Sequence, residues 1–537
     1  MPRYPDAVPP LLSRLNRPIV AILVVTALAG FVRFFHLAHP GEFVFDEVYY
    51  PKAGCILVGW SDETCRVDSG DETYWREHQW DVGSWVHPPL GKWEVGLGIK
   101  AFGMDPFGWR VTSALAGTLV VFFSAILAQL LFRRPIWTLV AGTLLAFENL
   151  NVVMSRTALL DVHLELWVVI GFVCFVMDRR WIERRQKEMP EPEPEPRDPE
   201  PGAGSADGGS EYGGSTVLPA PPVEPVEPPV YSPVWRPWRF AAGAALGAAT
   251  SVKWSGAMAL FAAVVLSYMW EAARRHNGSI SWPKAFWRAF ARESFGLALA
   301  FVLVPMVVYM AVWLPWLHHF GWSLELWWKN QVGAFDYHRN GLPWTKLDPE
   351  TGAFTPTHPY YSRPWTWIFL IRPVSFYVKD VGPDIQQILA IGNPAVFWAA
   401  VVAVPYLAYA WWRRRDWRAG FLLVVFVCQY APWFAVGRPT FFFYVLPLTP
   451  FMVLAVTYGL VHMSDAKIVV RDRSTGDVAM NPETGEPAIS TYYPYRPFVW
   501  IYVAAAVLLF VWFWPVLTAG QISDVRWRLI VWFNRWI

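Results

Sequence analysis

The chain has 537 residues, 54% of them hydrophobic, with 34 tryptophans, a positive mean hydropathy and a formal net charge of +2. This composition excludes a string of soluble domains, because so much apolar surface needs a bilayer to cover it. It also excludes a nucleic-acid-binding face, since the basic residues cluster between apolar runs instead of lining one surface.

The first stretch, "MPRYPDAVPPLLSRLNRP", is too polar for a secretory signal, and the apolar run behind it has no small-residue cleavage site. That run is expected to stay as a helix. Apolar stretches long enough to cross a bilayer start at about residues 18, 111, 135, 152, 238, 253, 294, 392, 419, 441 and 498. The expectation is an all-α polytopic membrane protein with about eleven transmembrane helices.

Arginine and lysine clusters set the expected orientation: Arg14 and Arg17, "RRP" at 133, "DRRWIERRQK" at 178, "EAARRHNG" at 271 and "RRRDWR" at 413 belong in the cytoplasm. Residues 1–17 are then a cytoplasmic N-terminus, and the membrane regions cover 18–178, 238–314 and 392–461. A last helix and an external C-terminus occupy 498–537. Two large loops, 38–110 within the first region and 315–391, face outward. The Pro/Glu/Gly tract within 179–237 reads as a disordered cytoplasmic linker. The turn-rich 462–497 loop, also cytoplasmic, is expected to form a small hairpin.

Cys174 and Cys428 fall in apolar runs, whereas Cys55 and Cys65 lie in the first polar loop. An oxidising compartment would let the latter two pair, and otherwise they are unpaired thiols.

Reactive candidates crowd one predicted face. "FDEVYY" sets Asp46 and Glu47 just beyond the first apolar run, where a carboxylate is costly unless paired or used in chemistry. "HPPLGK" and the head of the next span add His87, Lys92 and Arg110, of which Lys92 and Arg110 are readable as headgroup anchors, partners of the acids or ligands of a lipid phosphate. "ENLNVVMSRTALLDVHLEL" carries Glu148, Arg156, Asp161, His163 and Glu165, too much charge for lipid contact, and a structural salt-bridge network explains Asp161 and Glu165 slightly better than a catalytic role does. "SVKWSG" contributes Lys253. The second loop adds Gln331, Tyr337, His338, His358 and Trp365, suited to sugar or peptide recognition or to an interfacial aromatic belt. Arg438 and Tyr444 flank a later turn.

No Gly-rich phosphate loop or zinc-type spacing is evident, which disfavours a soluble nucleotide donor. An acid beside cations at a bilayer edge fits a lipid-phosphate donor, and one base without a nucleophilic carboxylate implies inversion.

"FDEVYY", "HPPLGK", "FGWRVTSALAG", "ENLNVVMSRTALLD", "SVKWSG", "HPYYSRPWTW", "GNPAVFW" and "RPTFFFYVLPLTPF" occur in this order. Together they resemble the protein O-mannosyltransferases of the GT-C membrane glycosyltransferase class, particularly the actinobacterial members. The resemblance implies a GT-C fold in the plasma membrane and a polyprenyl-phosphate-mannose donor. It further implies acceptor Ser or Thr hydroxyls on secreted or translocating polypeptides, and leaves open an encounter with the protein-export machinery. It maps the family's acidic pair onto Asp46, as base, and Glu47, as its positioning neighbour, and the essential arginine onto Arg110, as a phosphate contact. His87, Lys92, Arg156, Lys253, His358 and Arg438 follow as donor-binding positions. Beside these, Asp161, Gln331, Tyr337 and Trp365 are read as structural or supporting positions. No metal ligand is assigned, and a divalent cation, magnesium or manganese, is left open. The chain departs from the pattern by lacking the β-trefoil repeats of eukaryotic relatives and by having Tyr444 where a histidine is expected. Two rival readings are a related transferase moving arabinose or aminoarabinose from the same carrier, and a polytopic transporter.

Overall fold

The computed structural model describes residues 17–59, 61–66, 86–187, 232–276, 280–341, 345–347, 354–356, 358–467, 477–480 and 493–536. The expectations for the N-terminus, for most of the Pro/Glu/Gly tract, for 67–85 and for most of the 462–497 loop lie outside these residues.

The first half of the bundle comprises α1 (Pro18–Phe34), α2 (Tyr50–Leu57), α3 (Leu90–Phe102), α4 (Pro106–Phe132), α5 (Pro135–Ala146), α6 (Asn149–Ser155) and α7 (Asp161–Lys187). Next come α8 (Pro237–Val252), α9 (Gly256–Arg275), α10 (Trp282–Ala298), a π-turn (Leu299–Leu303), α11 (Val304–His319) and α12 (Leu324–Asn340). The second half adds α13 (Pro394–Arg414), α14 (Trp417–Tyr430), α15 (Thr449–Asp465), α16 (Arg496–Leu517) and α17 (Asp524–Ile530).

Local chemistry explains many of the boundaries. Proline sits in the first helical turn of α1, α4, α5, α8, α10, α13, α15 and α16, where its missing N–H costs little. Asp105 caps α4 by accepting the Gly108 amide at 2.7 Å, and Asn393 caps α13 by accepting that of Ala395 at 3.0 Å. The π-turn precedes Pro305, which cannot donate to the preceding turn.

Among the described residues seven helical stretches are long and apolar enough to cross a membrane, or eight if the α5–α6 pair, bent by 63°, forms one span. Helices α1 and α8 occupy two more expected places but have only 17 and 16 residues. Helix α7 is long enough, yet Asp161, Glu165 and Asp178 dilute its apolar character. The expected count of eleven is therefore not met by length and apolarity alone. The run expected to start at 152 is divided, its first residues closing α6 and the rest forming α7.

Two further expectations change. Helix α7 continues to Lys187, so the first residues of the tract placed at 179–237 are helical. The fold is also not wholly α: β1 (Thr345–Leu347) pairs with β2 (Phe354–Pro356), and β3 (Val374–Val381), β4 (Asp384–Ala390) and β5 (Ile522–Ser523) form an antiparallel sheet. The β3–β4 turn uses Gly382 at φ 63, a left-handed conformation that glycine accepts without strain. The sheet was hidden because its β-branched and aromatic residues read equally well as an interfacial belt.

The loop at 38–110 is built on close backbone contact. A Cβ on Gly54 of α2 would lie 2.7 Å from the Lys92 carbonyl of α3, so only glycine lets these helices approach so closely. Cys55 and Cys65 form a disulfide in the same loop.

Candidate active site

The 3-10 turn Phe45–Val48 carries both acids but sends them to different places. Glu47 is fully buried. Its Oε1 accepts from Arg110 Nε at 2.8 Å and from the Ala158 amide at 2.7 Å, and its Oε2 accepts from Arg110 Nη2 at 2.7 Å and from the Val44 amide at 2.9 Å. These bonds pin the turn to α4 and to the segment before α7. Phe45, at φ 52, occupies a left-handed conformation that costs a bulky residue on the order of 1–2 kcal/mol. It is held there by stacking on Phe376 of β3 at 4.5 Å and by an edge contact with Phe443 at 5.7 Å.

With its neighbours fixed, Asp46 points into a cavity of about 390 Å³ that it shares with Tyr50, His87, Lys253, Tyr337, His358, Arg438 and Tyr444. Its carboxylate makes no hydrogen bond or ion pair among the described residues, and the half-buried side chain lines the cavity. Burial pushes its pKa up to about 6, opposed by the positive charge of Lys253 and reinforced by Asp161. Lys253, just past the end of α8, pairs with Asp161 at the start of α7 at 2.7 Å. It also lies 5.6 Å from the Tyr444 ring centre. The Arg438 guanidinium sits 5.7 Å from the same ring and 5.8 Å from that of Tyr337.

His87, Lys253, Arg438 and Tyr444 also border a second chamber of about 200 Å³, whose far wall is apolar: Leu164, Met258, Trp433 and Val436. His338 completes this wall, 5.4 Å from the His87 ring, with its Nε2 2.9 Å from the Val86 carbonyl. Burial, with Lys253 and His338 nearby, holds His87 well below the usual imidazole range. Burial and Arg438 bring His338 down to about 4. Both rings are therefore neutral at pH 7, and the fixed cations of the chambers are Lys253 and Arg438. Two acids, Asp46 and the Lys253-paired Asp161, and two cations line a partly apolar space. That suits a substrate with an anionic leaving group and a greasy tail.

Comparison with known proteins agrees. The family described as dolichyl-phosphate-mannose-protein mannosyltransferase matches residues 23–189, and that of the C-terminal four TMM region of protein-O-mannosyltransferase matches 346–536. A polyprenol-phosphate-mannose–protein mannosyltransferase of Mycolicibacterium smegmatis is 30% identical, over 96% of this chain and 92% of its own. The chain belongs to the protein O-mannosyltransferase family. A Mycobacterium tuberculosis protein of the same name is 29% identical over 98% of this chain and 93% of its own. The structure of the S. cerevisiae protein O-mannosyltransferase Pmt1-Pmt2 complex bound to the sugar donor superimposes with a TM-score of 0.60 at 14% identity. It covers 96% of this chain and 92% of that one, so the fold is shared. This family member is a multi-pass membrane glycosyltransferase of the GT-C type.

Within this mannosyltransferase the expected site residues divide. Asp46, His87, Asp161, Lys253, Tyr337, His358 and Arg438 line the chambers, with Asp161 paired to Lys253. Arg110 does not reach them: besides Glu47 it donates to the carbonyls of Pro40 at 2.7 Å, Glu42 at 2.9 Å and Leu37 at 3.4 Å. Arg156 likewise binds carbonyls at the end of α1, those of Arg33 and His36 at 3.0 Å each among them. Both were expected at the donor, and both instead satisfy orphan backbone acceptors. Lys92 Nζ donates to the His87 carbonyl at 2.7 Å and so braces that loop. Gln331 accepts from Tyr309 at 2.6 Å, which in turn takes the Trp254 indole N–H at 3.0 Å. Trp365 is exposed and lines neither chamber.

Sequence reasoning misses Tyr50, Met258 and Trp433, which also line the chambers. The four-residue spacing from Asp46 could have flagged Tyr50. Met258 and Trp433 carry no polar signal that separates them from ordinary membrane-helix residues.

Proposed function

We propose that the chain transfers mannose from polyprenyl-phosphate-mannose to Ser or Thr hydroxyls of polypeptides, with Asp46 as base. The free Asp46 carboxylate, facing a cavity shared with Lys253 and Arg438, carries this reading. Asp46 takes the acceptor hydroxyl proton as that oxygen bonds to mannose C1, and the C1–O bond to phosphate breaks. The polyprenyl phosphate leaves as an anion against Lys253 and Arg438, so no acid is needed. One carboxylate on the side of attack gives a single displacement with inversion. The apolar chamber suits the first units of the prenyl tail. A cavity this small admits a side chain on extended backbone, not a folded surface. Acceptors would thus arrive before folding, beside the export machinery.

The site end is external and the arginine-rich turns are cytoplasmic, following the positive-inside rule, in the plasma membrane. Cysteine introduced at exposed Trp365 should react with an impermeant maleimide in intact cells, and cysteine at exposed Arg413 only after permeabilisation. The opposite pattern refutes this orientation. The enzyme assay uses purified protein, radiolabelled polyprenyl-phosphate-mannose and a Ser/Thr-rich peptide. Asp46→Asn should lose about 10²–10⁴ in rate while remaining folded. Retained transfer would remove Asp46 as base.

A further inference from the structure

A second polar cavity, of about 380 Å³, lies at the other end of the bundle. Its floor includes Asp178, seventeen residues along α7 from Asp161, so the two cavities are separated by roughly 25 Å of helix. The donor chemistry described above makes no use of it.

Five guanidinium groups face this space, those of Arg179, Arg236, Arg239, Arg274 and Arg415, against the carboxylates of Asp178, Glu183 and Glu271. Behind the wall, Glu293 pairs with Arg236 at 3.1 Å and also with Arg239, while Arg275 joins Glu271 at 2.8 Å. Among the described residues named here, six cations meet four anions. An excess of two positive charges in a half-enclosed cavity is unfavourable without an anion.

The geometry shows where the anion fits. Arg179 is clamped between the Trp270 and Trp417 rings, 4.6 and 4.4 Å from their centres, which fixes its guanidinium. Among the described residues its one ion pair is with Glu183, at 3.0 Å. Arg239 is 2% exposed, and its Nε has no hydrogen-bond partner among the described residues. Arg415, in the turn between α13 and α14, is exposed and makes no hydrogen bond or ion pair among the described residues. Fixed guanidinium forks with donors to spare match phosphate oxygens.

We propose that this cavity is a binding site for a phosphomonoester, whose double negative charge equals the excess. A lipid headgroup and a free phosphate share this chemistry.

The test uses the full-length protein in detergent, titrated with inorganic phosphate, and in nanodiscs of phosphatidylcholine with or without phosphatidic acid. Binding is read by thermal shift and by native mass spectrometry. A shift with phosphate alone identifies a soluble ligand, and selective retention of phosphatidic acid identifies a lipid. In either case Arg415→Gln should weaken binding about tenfold, as expected for losing one charge-assisted contact, and Arg179→Gln at least as much. Because Arg179 also braces three helices, the exposed Arg415→Gln variant separates binding from folding. Asp46→Asn should bind as wild type does, and Arg415→Gln should leave mannosyl transfer unchanged. The proposal is overturned if neither probe binds, or if binding survives Arg415→Gln unchanged while Asp46→Asn weakens it.

Discussion

Replacing Arg110 by alanine separates a structural role from a donor-binding one. The side chain is fully buried and donates to both Glu47 oxygens and to three backbone carbonyls. Its removal leaves Glu47 with two amide donors and no counter-charge, and breaking a buried pair in this way costs about 3–5 kcal/mol. Against a total stability of about 5–15 kcal/mol, that is a large share. Thermal unfolding of the detergent-purified protein should fall on the order of 5 °C. Glu47→Gln combined with Arg110→Met should cost less than the sum of the single changes, by at least about 1 kcal/mol. Transfer per folded molecule should drop, because the turn holding Asp46 loosens, while the donor KM changes little. An Arg110→Ala protein with wild-type Tm and a tenfold higher donor KM would refute this account and restore the phosphate contact.

Other outcomes follow from the same geometry. Asp46 must be ionised to act as base, so kcat/KM should rise with pH through about 6 and level off above it. A profile flat from pH 5 to 8 would contradict this. Lys253→Ala removes one of the two cavity cations and exposes Asp161, so the donor KM should rise about tenfold or more, and an unchanged KM would count against phosphate contact there. Breaking the Cys55–Cys65 disulfide by Cys55→Ser with Cys65→Ser opens a loop of sequence separation 10, worth about 3 kcal/mol of unfolded-state entropy. It should lower thermal stability under oxidising conditions, and a reductant should bring wild type down to the same level.

Order of residues alone made the membrane class legible, because a bilayer demands long apolar runs whatever their packing. The chemistry was legible too, since acids and cations at span ends are too costly to be there by chance. Local sequence could not divide the work within "FDEVYY". Adjacent residues on a turn differ in direction, and which one meets the cavity depends on a partner 63 positions away, Arg110. The same holds for Arg110 and Arg156, whose targets are carbonyls of α1 and the segment after it. Sheet β3–β4–β5 joins residues near 380 to residues near 522, a pairing that no local periodicity records. The sequence determined the solvent this chain lives in and the types of group its reaction needs, because burial and charge are properties of single residues. Only the tertiary structure decided which carboxylate stays free, because a vacancy is a property of everything packed around it.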